Sequence, residues 1–250
     1  MASLKELFGD PGRCRKPRDY GLTHVLDKGL SVPEVHALME VAAEFVDIVK
    51  LGWATAVVVA NLDAKLEAYR SYGIPVCCGG SLFELALMRN RLDEYIAFLK
   101  DRGFALVEVS DGVVSLPQEQ KLRHIERLAR EFRVLSEVGS KDREVIVAPF
   151  RWVAQIKAEL DAGAWKVVTE GRESGTVGLY RDSGEIRMGL VEEIEANVDI
   201  RRVIFEAPQK AQQVWLVKRF GCNVNLGNIP PSEVISLETI RQGLRADTMA

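Results

Sequence analysis

Short apolar, β-branched runs alternate with amphipathic stretches along this chain, and the alternation recurs at nearly even spacing. The runs are LTHVL from Leu22, VDIVKL from Val46, IPVCC from Ile74, ALVEV from Ala105, FRVLSEV from Phe132, AWKVVTE from Ala164, RVIFE from Arg202 and NVNL from Asn223. Their mean spacing is about 29 residues, close to the roughly 30 residues of one strand–helix–strand unit. Parallel strands covered by helices on one face and filled by side chains on the other read as such near-continuous apolar runs. Between them, Leu92, Tyr95, Ile96 and Leu99 fall at helical spacing, as do Leu122, Ile125, Leu128 and Ala129, and Phe150, Val153, Ile156 and Leu160. Each stripe is expected to pack on the sheet. Gly73, Gly103 and Gly163 stand where a helix gives way to the next strand, and Pro117, Pro149, Pro208 and Pro230 stand near helix starts.

Eight such units predict an α/β chain folded as one (β/α)8 TIM barrel. The even spacing and the lack of a GxGxxG loop after the first strand argue against an open doubly wound sheet. The barrel is expected over residues 21–250, with residues 1–20 as an N-terminal arm or lid bearing Arg13, Arg15, Lys16 and Arg18. Hydrophobic residues make up 47% of the 250, enough for a sizeable core. A formal charge of −3 gives no basic excess for nucleic acid. The start shows no apolar leader, and Leu51–Leu62, the longest uncharged and mostly apolar run, is too short to span a bilayer. Cys14, Cys77, Cys78 and Cys222 form no CxxC pair, and His24, His36 and His124 lack zinc spacing. Reduced thiols, and therefore a cytoplasmic location, are expected.

In a barrel of this kind the chemistry sits at the C-terminal ends of the strands. The first ends give Asp27, Lys28 and Lys50, then a Gly79-Gly80 turn with Ser81 and Glu84 in capping-box spacing. The next four give Glu108 and Asp111; Glu137, Lys141 and Asp142; Glu170, Arg172 and Glu173; and Glu206, Gln209 and Lys210. The last offers Asn223, Asn225, Gly227 and Asn228. Carboxylates from four consecutive strands would repel one another on a shared rim unless a cation sat among them. Oxygen donors without a His or Cys cluster favour Mg²⁺ or Mn²⁺ over zinc. Lys28, Lys50, Lys141, Arg172 and Lys210 on the same rim complete a pocket for a small, multiply charged anion such as a phosphorylated carboxylic acid. Which way Glu108 points depends on strand parity, so it ranks below Asp111. His24 reads as an interior histidine and Trp53 as a residue that either shields the pocket or packs. Residues 178–187, GLYRDSGEIR, read as a hairpin at a lid edge. Another metal-dependent barrel enzyme acting on a phosphorylated acid, and a non-catalytic stress or assembly barrel, are the competing readings.

The strings LTHVLDKG, DIVKLGW, GGSLFE, EVSDG, LSEVGSKD, TEGRESG, IFEAPQKAQQVW and NVNLGNIPPSEVISLETIRQGLR occur in this order. Together they resemble the phosphosulfolactate synthase family from about Lys16 to Thr248. The resemblance implies a carbon–sulfur lyase on a TIM barrel that adds sulfite to phosphoenolpyruvate with Mg²⁺, giving (2R)-2-phospho-3-sulfolactate. The product enters coenzyme M biosynthesis in methanogens and serves as a source of sulfolactate in some bacteria. Compact homo-oligomers, trimeric in the archaeal case, are implied as well. Lys141 matches a lysine in the family's EVG-x-K motif and is the expected proton donor. Lys28, Lys50, Arg172 and Lys210, with Gln209 and Asn225, would bind phosphate, carboxylate or sulfite. Glu137, Glu170 and Glu206, then Asp111, would hold the metal. Three features depart from the pattern: CCGG before the third turn, His24 at a position usually apolar, and the short stretch Asp142–Pro149 after Lys141. The retained charges set the chain apart from a heat-stress-associated plant branch and among the enzymes.

Overall fold

The computed structural model describes residues 11–140 and 147–249. Its strands are β1 (Thr23–Asp27), β2 (Ile48–Leu51), β3 (Val76–Cys78), β4 (Leu106–Val109), β5 (Arg133–Val138), β6 (Lys166–Thr169), β7 (Val203–Glu206) and β8 (Leu226–Ile229). Its helices are α1 (Val32–Ala42), α2 (Leu62–Ser71), α3 (Gly80–Met88), α4 (Leu92–Asp101), α5 (Gln118–Leu128), α6 (Pro149–Asp161), α7 (Met188–Asn197), α8 (Lys210–Phe220) and α9 (Val234–Arg241). The strands are parallel and run in the order β3-β2-β1-β8-β7-β6-β5-β4. β3 and β4 lie side by side and bring the sheet round into a nearly closed barrel. The expected (β/α)8 architecture is present, with one addition: β3 is followed by two helices. They part at Asn90, which has a left-handed φ of 53°.

Period-two alternation sorts the strand residues into two cores. Ile48, Cys77, Leu106, Leu135, Val168 and Ile204 point inward and fill the barrel with Leu22. Val25, Val49, Val107, Val134, Val167 and Val203 point outward and join helix residues such as Met39, Tyr69, Leu99, Ile125 and Ile156 in the larger outer core. Each of these fully buried side chains contributes roughly 1.5–3 kcal/mol. The helical stripes behave as expected except at Phe150, which is exposed at the start of α6 while Trp152, Val153 and Ile156 face inward. The alternation also fixes the site. Two residues beyond the inward layer, the same face carries Lys50, Glu108, Glu137, Glu170 and Glu206 toward the C-terminal mouth.

The opposite mouth is plugged by the described part of the arm. Arg13 pairs with Glu238 at 3.3 Å, Arg18 with Asp47 at 2.9 Å, and the Cys14 amide donates to Asn223 Oδ1 at 2.9 Å. These partners precede strands or lie on α9, so residues 11–20 close the N-terminal end of the barrel and form no lid over the other. The hairpin reading of residues 178–187 holds: Tyr180 and Ile186 form an antiparallel bridge.

Candidate active site

Lys50 is the centre of the C-terminal mouth. Its Nζ lies 3.0 Å from Glu206 Oε1 and 3.3 Å from Glu108 Oε2. The other oxygens of these acids are held by backbone. Gly171 N donates to Glu206 Oε2 at 2.8 Å, and Gly80 N, in the first turn of α3, donates to Glu108 Oε1 at 2.7 Å. Gly80 has to be glycine, because a Cβ there would stand 2.2 Å from Ser110 Oγ. Glu170 Oε1 accepts from Arg172 N at 2.7 Å. Lys50, Glu108, Glu137, Glu170, Arg172 and Glu206 line a cavity of about 440 Å³. A larger cavity of about 1050 Å³ runs alongside, between residues 176–190 and the start of α8, and lacks this buried cluster.

Burial opposes the Lys50 charge, but Glu108, Glu206 and Glu137 outweigh it and hold the ammonium well above its usual range. Burial raises the Glu206 carboxyl; repulsion from Glu137 and Glu108 adds to the rise, while Lys50 works against it. His24, wholly buried beneath the cluster, is pushed well below the usual imidazole range by burial and then by Lys50, and is therefore neutral at pH 7. The result is a fixed cation inside a ring of acids, shielded from bulk water, where each charge acts more strongly than at a surface.

The other expected site residues divide by position. Arg172, left-handed at φ 55°, lines the cavity. Lys28 stands at the rim with its Nζ 4.9 Å from the Trp53 ring centre. Gln209 lines the neighbouring cavity, and its amide donates to Ser174 O at 2.6 Å, tying the loop after β6 to the start of α8. Lys210 is exposed, 3.7 Å from Glu233. Lys141 and Asp142 lie outside the described residues.

Three of the expected placements differ in the structure. Asp111 pairs with Lys121 at 2.9 Å, and the same ammonium meets Glu159 at 2.9 Å, so Asp111 pins the loop after β4 to α5 outside the cavity. Glu108, ranked below it, takes the inward position. Asn225 lies at the N-terminal end: its Oδ1 accepts from Leu22 N at 3.0 Å and its Nδ2 donates to Val203 O at 2.8 Å. The eighth strand begins at Leu226, the last residue of the run expected to form it, which leaves Asn225 below the strand. Glu84 is no cap either, since Gly79 holds the N-cap of α3. The buried Glu84 carboxylate accepts from Ser110 Oγ, from Val113 N at 2.6 Å and from Val114 N at 2.7 Å, shaping the loop after β4.

A profile of the (2R)-phospho-3-sulfolactate synthase (ComA) family matches residues 11–247. The chain belongs to this family. Phosphosulfolactate synthase of Methanothermobacter thermautotrophicus is 42% identical over 248 residues, covering 97% of this chain and 96% of the relative. The protein of the same name from Bacillus subtilis is 37% identical over 241 residues, covering 95% and 96%. Among solved structures, 3-hexulose-6-phosphate synthase from Salmonella typhimurium matches with a TM-score of 0.57 at 16% identity, over 89% of this chain and 99% of that one. That likeness is one of fold. Among the described residues no helix is long and apolar enough to cross a membrane.

Within this phosphosulfolactate synthase family member, the donors at the mouth suit a hard divalent cation. No three His, Cys, Asp or Glu groups form a ready-made cage among the described residues. A cage is not what Mg²⁺ requires: it is commonly held by one or two carboxylates and completed by water and substrate oxygens. Glu137 and Glu170, which line the cavity on neighbouring strand ends, offer oxygen donors of that kind.

Proposed function

We propose that this chain is a phosphosulfolactate synthase in the full sense, catalysing Mg²⁺-dependent addition of sulfite to phosphoenolpyruvate to give (2R)-2-phospho-3-sulfolactate. The observation that carries the reading is the buried Lys50 set among Glu108, Glu137, Glu170 and Glu206 at the catalytic mouth of a barrel of this family. Phosphoenolpyruvate and sulfite are both anions, and bringing them together demands fixed positive charge. Lys50, Arg172 and Lys28 supply it from three strand ends. Glu137 and Glu170, then Glu206, would hold Mg²⁺, and the ion would supply a Lewis acid for the negative charge that gathers on the substrate carboxylate.

The sulfite sulfur attacks the methylene carbon and forms the C–S bond. The electron pair of the double bond moves to the adjacent carbon and its carboxylate, and Lys141 delivers a proton to that carbon from one face. The neutral imidazole of His24 lies below and adds no charge to the pocket. The reading includes a homo-oligomer in the cytoplasm, consistent with four free thiols at Cys14, Cys77, Cys78 and Cys222.

The test is to incubate the protein with phosphoenolpyruvate, sulfite and Mg²⁺ and follow the phosphorus NMR spectrum. A new phosphate-ester resonance that needs all three components is expected, and Lys141→Ala should abolish it without unfolding the chain. An unchanged phosphoenolpyruvate signal, where an active synthase converts it, refutes the reading.

A further inference from the structure

The short turn after β2 combines two unusual features. Trp53 (φ 52°, ψ 33°) and Ala54 (φ 55°, ψ 26°) are consecutive left-handed residues bearing a Cβ. Such backbone is rare, persists only where the surroundings over-determine it, and gathers at ligand clamps and active sites. The strain presents the Trp53 indole at the rim of the Lys50 cavity, where it is 56% exposed. The base of the turn packs closely on β1, since a Cβ on Gly52 would lie 2.6 Å from Leu26 Cδ1. Over one ring face stands Lys28, from the end of β1, with its Nζ at 4.9 Å. A cation on an exposed aromatic face is weakly held compared with one paired to a phosphate or carboxylate oxygen.

We infer that Trp53 and Lys28 form the substrate-responsive rim of the site: the indole lies over the enolpyruvyl group and keeps water from the carbon under attack, while Lys28 leaves the ring for an anionic oxygen of the ligand. The inference rests on the proposed reaction and names the part of the pocket that reads a planar, anionic, unsaturated substrate. Trp53 contacts ligand through its face, and Lys28 contacts it through charge.

The test uses the full chain with Mg²⁺. Phosphoenolpyruvate is titrated while tryptophan emission is recorded, and binding is measured in parallel by calorimetry. A saturable emission change that matches the calorimetric binding curve is expected in the wild type and is lost in Trp53→Phe. Trp53→Ala should lower kcat/KM by about tenfold or more, with Trp53→Phe recovering part of the loss through its aromatic face. Lys28→Met should raise KM for phosphoenolpyruvate by about tenfold, with kcat changed much less. If phosphoenolpyruvate binds by calorimetry yet emission does not respond, or Trp53→Ala turns over like the wild type, the inference falls and the proposed function stands. If phosphoenolpyruvate does not bind the wild type at all, both fall. Emission that follows dilution of the protein and ignores the ligand would assign the indole to a contact between copies of the chain, and would also overturn the inference.

Discussion

Replacing Lys50 by Met removes a buried cation that meets both Glu108 and Glu206. Each contact is close to 3 Å, and at an effective dielectric near 20 such a pair is worth roughly 5 kcal/mol of Coulomb attraction. Desolvation of the ammonium offsets much of this, and the loss on breaking a buried pair from one side is about 3–5 kcal/mol. That is a large share of the 5–15 kcal/mol typical of a whole domain. The loss should depend on pH. Without Lys50, the buried Glu206 carboxyl moves further above its unfolded value, so the folded variant binds a proton more tightly than the unfolded chain. Stability then falls as pH rises through the carboxylate range, and the deficit is largest near neutrality and smaller near pH 5. Urea unfolding of the wild type, Lys50→Met and the double variant Lys50→Met/Glu206→Gln would measure it. The double variant, which removes the stranded charge, should recover part of the loss. A single variant within about 1 kcal/mol of the wild type at neutral pH, or a double variant no better than the single, would refute the view of Lys50 as the neutralising centre of a buried acid cluster.

Glu84→Gln weakens the bonds to Ser110, Val113 and Val114, and hydrogen exchange at the last two amides should rise well above that of the barrel strands. Tyr69→Phe deletes the 2.8 Å bond to Asp27, a carboxylate that points outward and also pairs with Lys65. The expected loss is about 1.5–3 kcal/mol of stability in thermal unfolding, with phosphoenolpyruvate affinity unchanged. Burial, aided by Arg202, lowers Lys166 to about 8. The unfolded chain holds that proton more tightly, so stability should rise with pH from about 8 toward the model-peptide value near 10.4, and Lys166→Met should flatten the rise in a series of urea titrations.

The barrel was legible in the sequence because inward-and-outward apolar runs and helical stripes differ in period, and both persisted across the whole chain. The extra helix was hidden because residues 80–101 contain no Gly or Pro past Gly80 to mark the break, which falls at Asn90. The choice between Glu108 and Asp111 needed an anchor for the alternation. Leu106 provides it, since Leu106, Leu135 and Ile204 each precede an inward glutamate by two residues. The same comparison across the runs Ala105–Val109, Phe132–Val138 and Arg202–Glu206 would have promoted Glu108. Asp27, Glu84, Asp111 and Asn225 resemble site residues in the sequence because a polar side chain beside a strand looks the same whether it faces ligand or a neighbouring element. Only the packing of Lys65, Ser110, Lys121 and Leu22 against them tells the two apart.

Anomalous diffraction from crystals soaked with Mn²⁺ and phosphoenolpyruvate tests most directly whether the Lys50 mouth holds a metal and an anionic ligand together. The expected result is a single strong Mn²⁺ peak at the carboxylates of Glu137 and Glu170, bridged to ligand whose anionic oxygens lie toward Lys50 and Arg172. Metal and ligand in the neighbouring larger cavity, or a Lys50 mouth that stays free of both at saturating concentrations, would contradict it.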